Sequence, residues 1–181
     1  MKRIDALRII ADTDALVVCN IGFPSRELYS IADKPTTFYM LGSMGLASSI
    51  GLGVARAQKR AVLAVDGDGS VLMNLGTLAT IAHYGPSNYH LVIIDNSAYG
   101  STGDQPTFTG RKTDLAALAR AAGNEQVYTV NTEDGLRGLL RELPRGPTVI
   151  VVKTEPGNAD CPIVPLTASS IKNRFMKTIS Q

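Results

Sequence analysis

Ala61-Val62-Leu63-Ala64-Val65-Asp66-Gly67-Asp68-Gly69-Ser70 is a short apolar run that ends in a glycine-rich turn, and Tyr89-His90-Leu91-Val92-Ile93-Ile94-Asp95-Asn96-Ser97-Ala98-Tyr99 repeats the arrangement. Each run is short and rich in β-branched residues, which predicts buried strands near 61–66 and 89–95. One helical segment, roughly 74–84, separates them. A strand, helix, strand connection is right-handed and makes the strands parallel, so both end on the edge of the sheet where open α/β folds bind ligands. Asp68 and Asn96, twenty-eight positions apart, are therefore predicted to converge.

Their chemistry suits a Mg²⁺-diphosphate site. Mg²⁺ takes near-octahedral oxygen at about 2.0–2.1 Å and keeps positions for phosphate and water. Asp68 supplies a carboxylate oxygen, Asn96 its amide carbonyl and Ala98 a backbone carbonyl two residues on. Gly67 and Gly69 let backbone approach a phosphate, and the amides of Gly69 and Ser70 at a helix start form an anion site. Asp-Gly alone reads as an ordinary turn. The strand before each half and the spacing to Asn96 favour the metal reading.

The rest of the chain predicts one α/β domain, a doubly wound parallel sheet. After an amphipathic start at 4–10, further strands fall near 16–19, 126–130 and 148–153, and helices near 25–31, 46–58, 114–122, 132–142 and 169–179. Asp114 and Thr132 read as helix starts. Residues 100–112 are polar and without periodicity. A loop of that length beginning at the metal site is predicted to cover the ligand. Pro156 to Pro165 is a second irregular stretch.

With these residues in place, the chain resembles the thiamine diphosphate enzymes, whose metal-diphosphate signature is Gly-Asp-Gly, some two dozen residues, then Asn-Asn. Asp95 stands where the first, non-ligating Asn would be. The resemblance implies Mg²⁺ on Asp68, Asn96 and the Ala98 carbonyl, with Gly67, Gly69, Ser70, Tyr99 and Ser101 against the diphosphate. Tyr39-Met40-Leu41-Gly42-Ser43-Met44-Gly45 is similar to the segment that bends the coenzyme. Met44 matches the apolar wedge between its rings, Gly42 the carbonyl that accepts the 4′-amino group, and Ser43 lies between them. Taken alone, a Met before a helix is more often core filler. In the first loop, Asn20-Ile21-Gly22-Phe23-Pro24-Ser25, the family often contacts the diphosphate; Gly22 and Ser25 are candidates, with Ser25 equally an N-cap.

Length bounds the mechanism. At 181 residues, 44% hydrophobic and 19% charged, the chain is predicted to bury one full core. The family needs a second domain, which binds the pyrimidine ring and carries the glutamate that protonates it. Glu27, Glu125, Glu133, Glu142 and Glu155 lie in no segment resembling that domain, so a partner chain is expected to supply it. The runs from Phe38 to Ser49, Asp66 to Ser70 and Asp95 to Gly103 resemble the phosphonopyruvate and sulfopyruvate decarboxylases. A stand-alone diphosphate half, with residues 20–28 and Arg174-Phe175-Met176, resembles the β subunits of the latter. The resemblance implies a hetero-oligomer with an α subunit, a small 2-oxo acid substrate, and coenzyme M biosynthesis as its setting. Arg111 and Lys112 are candidate contacts for a distal sulfonate and are also readable as solvated charges. Two other readings stay open: a split phosphonopyruvate decarboxylase or another thiamine enzyme subunit, and a non-catalytic module binding a Mg²⁺-diphosphate.

Other features read as structure. Gly51-Leu52-Gly53 sits inside a helix rather than after a strand, which favours close packing over dinucleotide binding. His83 and His90 form no metal spacing, and Cys19 and Cys161 predict no disulfide framework. A net charge of +2 without a basic run argues against nucleic acid. No signal peptide or membrane-spanning run is seen, so the cytoplasm is expected.

Overall fold

A computed structural model describes residues 1–180. In chain order the elements are α1 (Arg3–Ala11), β1 (Leu16–Cys19), α2 (Phe23–Ile31), β2 (Thr37–Tyr39), α3 (Ala47–Arg56), β3 (Val62–Gly67), α4 (Asp68–Met73), α5 (Gly76–Tyr84), β4 (Tyr89–Asp95), β5 (Ala98–Tyr99), β6 (Gln105–Pro106), α6 (Leu115–Ala121), β7 (Gln126–Val130), α7 (Glu133–Arg141), β8 (Thr148–Lys153) and α8 (Ala168–Ile179). Six strands form one parallel sheet in the order β2-β1-β3-β4-β8-β7. The chain leaves β1 for β2 on one side and returns to β3 on the other. That reversal opens a crevice between the carboxyl ends of β1 and β3, where doubly wound folds take ligands.

Period-two alternation with both faces apolar explains why the central strands are buried throughout. On β4, Val92 and Ile94 join Leu7, Ile10 and Ile150 on one face. Leu91 and Ile93 join Leu52, Leu78, Ile81 and Leu115 on the other. Each fully buried aliphatic side chain contributes about 1.5–3 kcal/mol, so this double core fixes the strand register that places the loops. Gly51 serves the same packing: a Cβ there would lie 2.7 Å from the Ala64 Cβ, so α3 seats directly on β3. Asp114 caps α6 by accepting from the amides of Ala116 at 2.9 Å and Ala117 at 3.1 Å. Thr132 caps α7 through the Gly135 amide at 3.2 Å.

Three elements differ from the sequence reading. β2 is a three-residue edge strand, too short to show alternation. The helix expected at 74–84 is α5, and a further short helix, α4, precedes it, beginning directly at Asp68. Residues 98–106 form a small antiparallel hairpin, β5 with β6, inside the stretch read as irregular. Both cysteines are free and buried, and burial pushes the Cys19 thiol up to about 12, as befits a core residue. Among the described residues no helix is long and apolar enough to cross a membrane.

His90 opens β4 almost fully buried, its Nδ1 without a hydrogen-bond partner. Burial lowers its pKa to about 4, against about 6.5 when unfolded. A depressed base contributes stability that is complete above the unfolded value and is lost as pH falls from about 6.5 to about 4. The loss is on the order of 3 kcal/mol. Thermal unfolding of the wild type is expected to weaken across that window more steeply than that of His90→Leu; parallel curves would show that His90 titrates freely.

Candidate functional site

Three loops meet at the carboxyl edge: Asn20 to Gly22 after β1, Gly67 to Ser70 after β3, and Asn96 to Thr102 after β4. They wall a cavity of about 180 Å³ together with Phe23 and Met44. Local sequence permits this closeness at two glycines. Gly22 has φ +79°, and a Cβ on it would sit 2.7 Å from Ser101 Oγ. Gly69 lies beneath the Tyr99 ring, where a Cβ would come within 2.2 Å of Cε1. The predicted candidates Met44, Gly67, Asp68, Gly69, Ser70, Asn96, Ala98, Tyr99 and Ser101 all border this cavity, and Gly22 stands between its Ile21 and Phe23.

The metal candidates converge as oxygen donors. One terminal atom of the Asn96 carboxamide lies 2.9 Å from Ala98 O and 3.2 Å from Asp68 Oδ1. The Ala98 amide, 3.3 Å from the same atom, favours oxygen there, whereas the two neighbouring oxygens favour nitrogen. A cation held between the three oxygens would resolve the conflict. Adjacent ligands of an octahedron with bonds of about 2.0–2.1 Å are about 2.9 Å apart, close to the spacing found. In its absence the opposite amide orientation donates to both oxygens. Among the described residues no three His, Cys, Asp or Glu side chains group as metal ligands, so a metal here takes carboxylate, carboxamide and carbonyl oxygen, the donor set of a hard ion.

Asp68 is positioned by residues that sequence reasoning missed. Its Oδ2 accepts from the hydroxyls of Thr107 and, at 2.9 Å, Thr109. Burial raises the Asp68 pKa, and these two hydroxyls oppose that rise; a bound cation would oppose it further. Thr109 Oγ1 also lies 2.8 Å from Asp95 Oδ1, so its single proton is shared between the two carboxylates. Asp95, at the position where the family signature has Asn, is fully buried and ion-paired with Lys153. The two are register partners on β4 and β8, so the neighbouring strand supplies the counter-ion that the extra anion requires. The separations, 39 and 41 residues from Asp68 to the threonines, leave no local signal.

α4 also holds the turn that carries Met44. The Gly45 amide donates to Ser70 Oγ at 2.8 Å, and the Gly45 carbonyl accepts from Asn74 Nδ2 at 2.9 Å. Ser70 is thus partly occupied in structure. Other candidates fall outside the cavity. Gly42 and Ser43 are exposed and border a separate depression with Ile50, Ala168 and Ile171, because the turn projects only Met44 inward. Ser25 is buried, and its hydroxyl donates to Asn20 O at 2.7 Å and Cys19 O at 3.3 Å. It is neither a cavity residue nor the N-cap of α2, which is Gly22. Arg111 and Lys112 are exposed, and Lys112 borders a different groove beside Phe108.

Comparison with known proteins accords with this geometry. The family profile of the thiamine pyrophosphate enzyme C-terminal TPP binding domain matches residues 20–152. The chain belongs to the thiamine pyrophosphate enzymes. It is 46% identical to the sulfopyruvate decarboxylase subunit beta of Methanocaldococcus jannaschii, over 99% of this chain and 98% of that one. It is 40% identical to the sulfopyruvate decarboxylase of Methanosarcina acetivorans, over 99% of this chain and 47% of that longer protein. An X-ray structure from Mycobacterium smegmatis, described as a thiamin diphosphate-dependent enzyme, superposes with a TM-score of 0.68 at 25% identity, covering 87% of this chain and 32% of that one. As a thiamine pyrophosphate enzyme the chain takes thiamine diphosphate.

Proposed function

We propose that this chain is the β subunit of a sulfopyruvate decarboxylase, which converts 3-sulfopyruvate to sulfoacetaldehyde and CO₂ on the route to coenzyme M, in the cytoplasm, with an α subunit that carries the pyrimidine-binding domain. The observation that carries the reading is near-full-length identity of 46% to a β subunit of that enzyme, in a chain whose Asp68, Asn96 and Ala98 oxygens are spaced for a hard cation.

In this reading Asp68, Asn96 and the Ala98 carbonyl hold Mg²⁺. The loops after β1, β3 and β4 enclose the diphosphate, and Tyr99 closes over Gly69. Bound thiamine diphosphate supplies the electron sink that accepts the pair released when the 2-oxo acid loses its carboxylate. The protein's part is to place it. Met44 borders the cavity from a turn pinned at both sides of Gly45 and supports the coenzyme's bent form, and the Gly42 carbonyl, on the exposed part of the same turn, is the candidate acceptor for the 4′-amino group.

The test is CO₂ release by the chain assembled with a pyrimidine-domain subunit, comparing 3-sulfopyruvate with phosphonopyruvate. A higher kcat/KM on phosphonopyruvate would assign the chain to a split phosphonopyruvate decarboxylase instead. Binding of the coenzyme with no turnover of either acid would leave the regulatory module. Met44→Ala in the assembled enzyme is expected to lower kcat by about 10²-fold while leaving the coenzyme Kd within a few-fold, since small misplacement of reacting groups is expensive. Equal turnover would make Met44 core filler.

A further inference from the structure

Arg3 reaches the wall of the same cavity from the first turn of α1. Among the described residues that line it, Arg3 is the single cationic side chain, as Asp68 is the single carboxylate. It is 6% exposed, and its inner donors are held tightly. Nε donates to Glu27 Oε2 at 2.9 Å, and Nη2 donates to Glu27 Oε1 at 2.6 Å and to Asn158 Oδ1 at 2.9 Å. Among the described residues Nη1 has no hydrogen-bond partner. Glu27 also accepts from the Ala159 amide at 3.0 Å, and Asn158 Nδ2 donates to Gly100 O at 3.1 Å. One guanidinium therefore joins α1, α2, the segment after β8 and the loop after β4.

A buried ion pair is a weak device for stability, because desolvating both charges offsets most of their attraction. A guanidinium fork held with one edge free suits recognition of phosphate oxygens. Mg²⁺ on Asp68 would leave a single positive charge against a diphosphate that carries more negative charge than that, so a cationic donor edge at the wall is favourable locally even though Glu27 balances the Arg3 charge overall. We infer that Arg3 is a diphosphate-binding residue, its free Nη1 edge donating to a phosphate oxygen while Glu27 and Asn158 hold the guanidinium and tie it to the Gly100 carbonyl.

This inference rests on the thiamine diphosphate reading of the cavity, so the test begins with the wild-type chain. Calorimetry at fixed Mg²⁺ measures inorganic pyrophosphate and thiamine diphosphate binding to the full chain, and sulfopyruvate KM is measured in the assembled enzyme at saturating coenzyme. The double variant Arg3→Met with Glu27→Gln removes both buried charges and keeps an acceptor for the Ala159 amide. It is expected to bind both diphosphates about 10- to 100-fold more weakly, the range for a lost charge-assisted hydrogen bond, with KM for sulfopyruvate unchanged. Arg3→Lys with Glu27 intact keeps a cation for the buried pair but not the second donor edge of the planar fork, and is expected to bind both diphosphates about 10-fold more weakly. Wild-type affinity in the double variant would overturn the inference. So would wild-type diphosphate affinity in Arg3→Lys, the mark of a cation that acts only through its pair with Glu27, or a rise in sulfopyruvate KM with pyrophosphate affinity intact, which would turn Arg3 toward the substrate. Failure of the wild-type chain to bind either diphosphate would remove the cavity reading itself, and this inference with it.

Discussion

Asp68→Ala will abolish Mg²⁺-dependent coenzyme binding, with a loss beyond about 10²-fold, while the chain stays folded. Asp68 is the single carboxylate in the cavity wall, and the other proposed ligands, the Asn96 carboxamide and the Ala98 carbonyl, are neutral. Two neutral oxygens do not compete with water for a strongly hydrated ion. The diphosphate then loses the cation that bridges it to the protein. Folding should tolerate the change, because burial makes the Asp68 charge unfavourable in the metal-free chain. Thr107 and Thr109, which lose an acceptor, remain 2.8 Å from each other. Asp68→Asn should bind metal more weakly than wild type and more strongly than the alanine variant. Circular dichroism checks the fold, and calorimetry with Mg²⁺ and thiamine diphosphate checks the ligands. Unchanged coenzyme affinity in Asp68→Ala would falsify the metal assignment.

The purified chain alone will not decarboxylate sulfopyruvate, and activity will appear on adding a subunit with a pyrimidine-binding domain. The cavity measures about 180 Å³, below the roughly 300–1,000 Å³ of sites that enclose whole ligands, a size that suits the proposed diphosphate end and would leave the rings at its mouth. No glutamate stands in its wall; the nearby Glu27 is committed to Arg3. In the groove that shares Tyr99 with the cavity, Met73 and Phe108 are 64% and 66% exposed, and a Cβ on Gly45 would touch Met73 at 3.4 Å, which places Met73 beside the Met44 turn. Apolar surface of this kind marks an interaction face. The Methanosarcina acetivorans relative, of which this chain spans 47%, has room for a second domain in one chain. The rate of the single chain is expected below about 1% of the assembled enzyme's, a gap the lost catalytic groups readily account for. Turnover by a repeatedly chromatographed single chain, abolished by Asp68→Ala, would place the missing glutamate within these residues.

What the sequence determined by itself is what rests on local pattern. β3 and β4 were legible because apolar runs end in Gly67-Asp68-Gly69 and Asp95-Asn96, and the right-handed crossover then forces Asp68 and Asn96 onto one edge. Asp114 and Thr132 announced their helices because a cap needs only its own first turn. Tertiary structure alone decided the rest. Thr107 and Thr109 reach Asp68, Lys153 neutralises Asp95, and Arg3 enters the cavity across 155 residues from Asn158. Such pairs have no sequence period, since their distances are set by strand order and loop closure. The same cause separated the candidates Ser25, Gly42 and Ser43 from the cavity. Their family positions are local, but the direction of a hydroxyl or a turn is fixed by which neighbours it meets: the carbonyls of Cys19 and Asn20 for Ser25, and the Ser70 and Asn74 clamp on Gly45 for the turn that sends only Met44 inward.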